Sequence, residues 1–346
     1  MANPKINPDF IVGKNLIDII QLVASLGEAN YRAKQVFQWV YQRLASSFKD
    51  MHNIPLELRN RLGQCVLFHP IELKQLNGSL KEGAQKYLFR LHDENYIESV
   101  LMENNNRLTL CLSTQVGCAA DCKFCATAKM GFVRQLTVGE IVDQFLLIQS
   151  GIESRVNNVV FMGMGEPFLN YDKVMLAAQL INDPDGINLS ARKITISTVG
   201  IISKIRQFAD EKRRYKLAIS LNAATQDQRT TIMPVAKSNT LDELIDSAWY
   251  YYNKLRNLLT FEYVLMKGIN DTKIDAIKLI RLIADLPCKV NVIPYNEIGD
   301  SFRRPSEMGI KAFIKELESA PFTVTVRWSK GADIQAGCGQ LATQAS

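Results

Sequence analysis

Histidine is nearly absent: the chain has three in 346 residues, His52, His69 and His92, all in the N-terminal part. Long apolar runs are missing as well. No uncharged stretch exceeds 13 residues, a length reached at 108–120 and 334–346. A membrane-spanning helix needs roughly 20 apolar residues, so no span is expected. The opening Met1-Ala2-Asn3-Pro4-Lys5-Ile6-Asn7 has no apolar signal core, which argues against secretion and for the cytoplasm. Internal repeats and low-complexity linkers are also lacking. The cysteine count is odd, seven, and three of the seven crowd into eight residues. In an intracellular chain this points to metal or redox chemistry and away from a disulfide framework. The rest is ordinary: 47% hydrophobic and 22% charged residues exclude disorder as the main state and allow a sizeable core. Length divided by about 150 suggests two domains, although one α/β barrel could use most of the chain.

Charge is informative by location. Lys and Arg number 41 against 35 Asp and Glu, a net of +6. Residues 192–237 hold ten basic side chains and three acids, +7, which leaves −1 for the rest. A basic segment in a near-neutral chain is a candidate phosphate-binding face, and equally a solvated surface.

Residues 15–68 read as helical. Ile17, Ile20, Leu22 and Leu26 suit one amphipathic stripe, Val36, Phe37, Val40 and Leu44 a second, and Pro55 the first turn of a third helix running through Val66. The period then shortens to that of strands at 84–91, 96–102 and 107–113. Beyond the cysteines, strands are expected near 156–162, 193–198, 216–221, 260–266, 288–294 and 322–328. Helices are expected over 138–150, 172–182, 201–210, 240–256, 273–285 and 306–318. This alternation implies a parallel sheet with helices outside. About six such units, where a closed barrel has eight, predict a partial, open (βα)6 barrel. The expected division is a helical accessory domain at 1–70, a strand-rich connection at 71–106 and a barrel core with a C-terminal catalytic loop at 107–346.

The segment Cys118-Ala-Ala-Asp-Cys122-Lys-Phe-Cys125 supplies three thiols from one loop. Tetrahedral zinc takes four ligands and usually draws on two Cys or His pairs, and no histidine is near. A four-iron cluster held by three cysteines leaves one iron open. That iron can bind a chelating substrate such as the amino and carboxylate groups of S-adenosylmethionine, whose sulfonium the cluster's electron then cleaves. The loop directly follows a strand, at the end where barrel active sites sit. Three cysteines this close in a loop are improbable as mere packing residues.

The C-x3-C-x2-C loop resembles the radical SAM superfamily signature. Cys111-Leu-Ser-Thr-Gln-Val-Gly-Cys118 and Asp333-Ile-Gln-Ala-Gly-Cys338-Gly-Gln-Leu narrow the resemblance to the RlmN/Cfr family of RNA adenosine methyltransferases, its RlmN branch most closely. The resemblance runs from Tyr31-Arg32-Ala-Lys-Gln to Cys338. It implies a [4Fe-4S] cluster on Cys118, Cys122 and Cys125, and two S-adenosylmethionine molecules per turnover. It also implies a reducing partner such as flavodoxin or ferredoxin and a cytoplasmic monomer. Within Phe161-Met-Gly-Met-Gly-Glu166-Pro-Phe, Gly165 and Glu166 fall where the family grips the methionine amino group. By itself this stretch is neither a dinucleotide fingerprint nor a P-loop. Ser197, Ser220, Leu221, Asn222 and Asn296 match further cofactor contacts, all at expected strand C-termini. Family members often carry His where Asn222 stands; Asn keeps a donor and an acceptor.

The same resemblance gives two lone cysteines roles that composition would not. Cys338 matches the methyl carrier. Cys111 matches the residue that helps remove the ring proton and then forms a disulfide with Cys338 to release product. Glu98 matches a glutamate assigned as proton acceptor; read alone it is an exposed strand carboxylate. Cys65 and Cys288 match no motif and read as packing residues. The implied substrates are an adenosine of 23S rRNA in the peptidyl-transferase region and the adenosine 3′ of some tRNA anticodons, both methylated at carbon 2. That carbon is not nucleophilic, so a covalent carrier avoids a polar transfer that would fail. The helical region at 1–70, with Tyr31, Phe37, Trp39 and Tyr41 among basic residues, is implied to recognise RNA, although such aromatics are more often core. Three rivals stand beside this reading: carbon-8 methylation of the Cfr type, radical SAM chemistry on a substrate other than RNA, and a non-catalytic Fe–S or zinc RNA-binding module.

Overall fold

The computed structural model describes residues 8–299 and 301–343; the opening seven residues, which carry the argument against secretion, lie outside them. Three helices come first: α1 (Leu16–Ser25), α2 (Tyr31–Tyr41) and α3 (Leu56–Cys65). Asn15 starts α1 through a capping box with Asp18. The stripe of α1 differs from expectation. Ile19 and Val23, one turn apart, face the core, while Ile17 is 66% exposed. In α2, Val36, Phe37 and Val40 are buried as expected, and Leu44 lies just past the helix end in the left-handed region. Pro55 immediately precedes α3.

Four antiparallel strands follow: β1 (Ile71–Ser79), β2 (Ala84–Leu91), β3 (Tyr96–Asn104) and β4 (Arg107–Cys111). Sequence periodicity gives no sign of β1, because only Ile71 of its nine residues is buried. It is an edge strand without an apolar face to alternate. From β4 onward the strands are parallel, β7 (Asn158–Phe161), β8 (Ile194–Thr198), β9 (Lys216–Ser220), β10 (Leu259–Leu265), β11 (Cys288–Pro294) and β12 (Thr323–Val326), and together with β1–β3 they form one ten-stranded sheet. The remaining pair, β5 (Gln115–Gly117) and β6 (Phe132–Gln135), makes a separate antiparallel ribbon.

The parallel strands follow chain order across the sheet. Every right-handed crossover therefore steps the same way, which puts the helices on one face and curls the sheet toward a barrel. The expected helices are α5 (Val138–Ser150), α6 (Tyr171–Asn182), α7 (Ile202–Asp210), α9 (Leu241–Leu255), α10 (Lys273–Ile283) and α11 (Glu307–Leu317), with two short unexpected ones, α4 (Ala126–Lys129) and α8 (Gln226–Ile232). Thr137–Glu140, Thr240–Glu243 and Thr272–Asp275 are capping boxes that fix where α5, α9 and α10 begin. The barrel is open. β12 pairs only with β11, whereas β4 pairs with β3 and β7, and no ladder joins β12 to β4. The apolar residues of α1–α3 belong to the same core cluster as those of the barrel strands. A smaller cluster, including Cys122, Phe124, Ile232, Met233 and Tyr295, sits at the strands' C-terminal ends.

The fold breaks up the basic segment 192–237. Lys193 precedes β8 and Lys216 opens β9, and Lys212, Arg213 and Arg214 lie in the turn before β9. All are at the N-terminal end of the strands, opposite the end where the cysteine loop departs. Arg229 is fully buried. Lys204 and Arg206 lie on α7 and Lys237 follows α8, so the ten cations are spread over both ends of the strands and do not form one continuous face.

Candidate active site and cofactor centre

The ribbon of β5 and β6 closes the base of the cysteine loop. Gly117 pairs with Phe132, and the Cys118 amide donates to the Gly131 carbonyl at 2.9 Å. Gly117 has φ +69°, and a Cβ there would stand 1.8 Å from the Gly131 oxygen; only glycine permits so close a closure. Arg134 on β6 braces the ribbon, bonding Asp93 in the β2–β3 turn at 2.6 Å and Glu140 at the start of α5 at 2.7 Å. No three of the described His, Cys, Asp and Glu side chains form a single-ion site. A single ion needs all donors at one point, about 2.3 Å from each thiolate. A four-iron cluster instead gives each cysteine a different iron. Burial pushes the Cys118 thiol up to about 12 and Cys122 well above its ordinary range. Bare, they are thiols; bound as thiolates, they need the positive charge of the metals.

All three cysteines line one cavity at the C-terminal ends of the strands. The opposite walls carry Gly165 and Glu166 after β7, Ser197 near the end of β8, Ser220 closing β9, and Asn222 just beyond it. Gly165 has φ +99°, and a Cβ would meet Gln115 at 2.5 Å. The Gln115 amide oxygen accepts from the Glu166 backbone N–H at 2.8 Å. Glu166 itself accepts from the Phe168 amide on one oxygen at 2.9 Å and from the Val199 amide on the other at 2.8 Å. With the Thr198 hydroxyl as a third donor, the carboxylate still has acceptor capacity for a cationic ligand. Burial raises this carboxyl to about 7, against the lowering effect of those amides. Asn222 has φ +58°. Asn and His are both among the residues that tolerate this conformation, which accounts for one replacing the other. Its side-chain oxygen accepts from the Val264 amide at 2.9 Å.

Two expected cofactor contacts stand back from this cavity. Leu221 is packed in the core. Asn296 is buried behind the C-terminal segment, donating to the Cys338 carbonyl at 3.0 Å and the Ser329 hydroxyl at 2.8 Å. Among the described residues its buried side-chain oxygen has no partner. Three thiols, a buried carboxylate with remaining acceptor capacity, two serines and Asn222 fit a three-cysteine cluster with a polar chelating ligand.

Cys338 is the junction of the site. It lines the cofactor cavity, a 70 Å³ cavity shared with Cys111, and a 570 Å³ outer cavity between β12 and β3–β4. The segment that carries it is strapped to the cysteine loop: the Ala126 amide donates to the Gly339 carbonyl at 2.7 Å, and the Thr127 hydroxyl to the Leu341 carbonyl at 2.6 Å. Cys111 ends β4, and burial first, then proximity to Cys338, raises its thiol to about 12. Both are free thiols, as are Cys65 and Cys288. Cys288 is in the core as expected, but Cys65 is exposed at the end of α3 and does not pack.

Glu98 is buried, not an exposed strand carboxylate. It pairs with the equally buried Lys86 at 2.9 Å and accepts from the Ala342 amide at 3.1 Å. It does not line the three cavities that meet at Cys338. Burial raises its carboxyl, and Lys86 and the Ala342 amide oppose that rise. Sequence gave no sign of three supporting residues. Arg229 donates to the Val199, Leu221 and Asn239 carbonyls, holding together the loops after β8 and β9. Asn270, also fully buried, ties Asn222 to Val264 through their carbonyls. Arg327 lies between the Met102 and Met162 sulfurs, at 3.3 and 4.0 Å, in the cavity it shares with Cys111 and Cys338.

Known proteins match this arrangement along the chain. The Radical SAM superfamily model matches residues 112–280, and the model for the ribosomal RNA large subunit methyltransferase N-terminal domain matches residues 11–67. A probable dual-specificity RNA methyltransferase RlmN of Alkaliphilus oremlandii is 42% identical over 96% of both chains. One from Clostridium perfringens strain 13 is 40% identical over 95% of this chain and 96% of its own. The crystal structure of a radical SAM methyltransferase from Sphaerobacter thermophilus superposes with a TM-score of 0.94 at 38% identity, covering 97% of this chain and all of that one.

Proposed function

The chain belongs to the RlmN family of radical SAM RNA methyltransferases, and from that premise we propose that it methylates carbon 2 of adenosine in 23S rRNA and tRNA with Cys338 as the covalent methyl carrier. One observation carries the reading: Cys338 lines the cofactor cavity, the cavity of Cys111 and the outer cavity together. A carrier has to meet the methyl donor, the acceptor base and the group that releases it, and this residue borders a space for each. Carbon 8 is the neighbouring outcome, and product analysis separates the two.

The family uses a [4Fe-4S] cluster and two S-adenosylmethionine molecules per turnover. Cys118, Cys122 and Cys125 hold the cluster in this reading, and Gly165, Glu166, Ser197, Ser220 and Asn222 hold the cofactor, with Leu221 and Asn296 supporting the walls. When bound, the pair supplies a methyl group and, on reductive cleavage, a hydrogen-abstracting radical. Glu166 offers its remaining acceptor capacity to the methionine ammonium. The cofactor cavity has only 150 Å³ free with Cys338 and Gly339 in its wall, below the ~300 Å³ at which small-ligand pockets begin. The Cys338 segment therefore gives way when the cofactor enters, and the flanking Gly337 and Gly339 suit such a hinge.

Cys338 takes the methyl group on sulfur and later bonds through that carbon to adenine. Once the adduct has given up one electron, returned to the cofactor centre, and its ring C2 proton, the Cys111 thiolate attacks the Cys338 sulfur; the new S–S bond replaces the S–C bond, whose electron pair stays on the carbon and takes up a proton, so the methylated base leaves. A disulfide is thus a product of turnover and has to be reduced before the next cycle. Glu98 is better placed to anchor the carrier segment through Ala342 than to touch the base. A low-potential flavodoxin or ferredoxin in the cytoplasm fits the need for electrons. Among the described residues no helix is long and apolar enough to cross a membrane. Mass spectrometry of nucleosides from RNA incubated anaerobically with reconstituted enzyme and S-adenosylmethionine should give 2-methyladenosine. 8-Methyladenosine would correct the regiochemistry, and unmodified RNA alongside cofactor turnover would point to another substrate.

A further inference from the structure

The outer cavity has a feature that the methyl transfer itself does not use. Trp328, two residues beyond β12, is 49% exposed. It lines the 570 Å³ cavity that has Cys338, Arg327 and Lys330 in its walls. The Arg304 guanidinium lies 5.4 Å from the Trp328 ring centroid. Arg304 comes from the loop after β11, so two separate loops at the barrel's open edge bring cation and indole together. A tryptophan kept for packing buries its ring; this one holds half its surface in water beside the only cavity, of the three meeting at Cys338, large enough for a nucleotide.

We propose that Trp328, braced by Arg304, is a stacking platform for the nucleobase that neighbours the target adenosine in the RNA. The proposal rests on the RNA-methylating function given above. To reach Cys338 the target base has to leave its stack, which breaks its contacts with its neighbours at a cost of a few kcal/mol. An exposed indole returns stacking to the base left behind, and it does so whatever that base is, because every base has a π-face. Arg304 polarises and orients the ring. Lys330 presents an ammonium at the same rim, anchored on the Glu103 carbonyl at 2.7 Å, where the sugar-phosphate chain must pass. The half-exposed Tyr31 with Arg32 above it at 4.8 Å repeats the pairing on α2, but it borders no cavity of the carrier and so stays outside this proposal.

The test uses the reconstituted holoenzyme with unmodified transcripts of tRNA and of a 23S rRNA fragment. Trp328→Ala should lower kcat/KM for RNA on the order of 10- to 100-fold, the loss of one base–aromatic stack, and Trp328→Phe should keep most of it. Iron content and RNA-independent cleavage of S-adenosylmethionine should stay at the wild-type level in both variants. Transcripts made abasic on one side of the target adenosine should lose rate with wild-type enzyme and show little further loss with Trp328→Ala. Neutralising Lys212, Arg213 and Arg214 at the far end of the strands should leave kcat/KM within a few-fold of wild type. Equal kcat/KM for wild type and Trp328→Ala would overturn the platform, as would fully additive losses in the abasic cycle. Failure of wild-type enzyme to methylate either transcript would instead count against the RNA-methylating reading.

Discussion

The inner and outer cavities share Cys338 and are made from different materials. The inner one presents Gly165, Glu166, Ser197, Ser220 and Asn222 at the ends of parallel strands, opposite the cysteine loop and among apolar Phe124, Phe161, Ile293 and Tyr295. The outer one is walled by long side chains, Arg327, Trp328 and Lys330 with Met102 and Glu103, along the open edge where β12 has no second neighbour. Small residues on rigid elements hold a cofactor of fixed shape. Long side chains at an open edge suit a polymer that has to be admitted and let go. Under the proposed function, chemistry and recognition are separated in space and joined through one sulfur.

The largest effect should come from the inner side. Replacing Cys118, Cys122 or Cys125 with Ala should take the iron content of anaerobically purified protein from about four per chain to near zero, abolishing methylation while RNA still binds. Stoichiometric zinc with no iron uptake would break the distinction at its base.

Next is the anchor behind Cys338. Lys86→Met leaves buried Glu98 without its counter-ion, and losing one partner of a buried pair costs ~3–5 kcal/mol. Denaturant titration should show that loss. Lys86→Met with Glu98→Leu should regain most of the stability, since apolar replacement of a buried pair is often neutral, yet methylation should remain low because the Ala342 amide has lost its acceptor. A stable double variant with full activity would confine Glu98 to a structural role.

Much of the inner cavity was readable in advance because its residues are motif-bound and close in sequence. Cys118, Cys122 and Cys125 span eight residues, whereas Ser197, Ser220 and Asn222 were matched through the family resemblance, at the ends of expected strands. What was hidden depends on distant segments meeting. Arg229 sits in a run that looks like surface charge, and only the fold shows three loop carbonyls converging on its guanidinium. Lys212, Arg213 and Arg214 are basic in sequence, but which end of a strand they occupy is a matter of topology. β1 lacks the alternation that periodicity detects. Trp328 gains meaning only when Arg304 and Cys338 come beside it.

The smallest expected effect lies at the base of the cysteine loop. The Arg134 guanidinium bonded to Asp93 holds that carboxyl at about 2, below its ordinary 3.8. A lowered acid stabilises the fold above its unfolded value and loses that contribution as pH falls through the folded one. Asp93→Asn should therefore lower Tm at neutral pH, with the gap to wild type closing between pH about 4 and about 2. Asp93 is 38% exposed, so the gap should correspond to ~1 kcal/mol or less. A gap unchanged by acid would mean that the carboxylate contributes packing and no charge.

The covalent link between the two cavities is tested most directly by comparing Cys111→Ala with Cys338→Ala on RNA. Cys338→Ala has no sulfur to carry a methyl group, so neither methylated RNA nor a crosslink should form. Cys111→Ala keeps the carrier and lacks the thiol that opens the adduct. On a denaturing gel it should give a slow-migrating, RNase-sensitive protein–RNA band, absent from the Cys111/Cys338 double variant. Free methylated RNA from both single variants would contradict Cys338 as the atom through which the two cavities communicate.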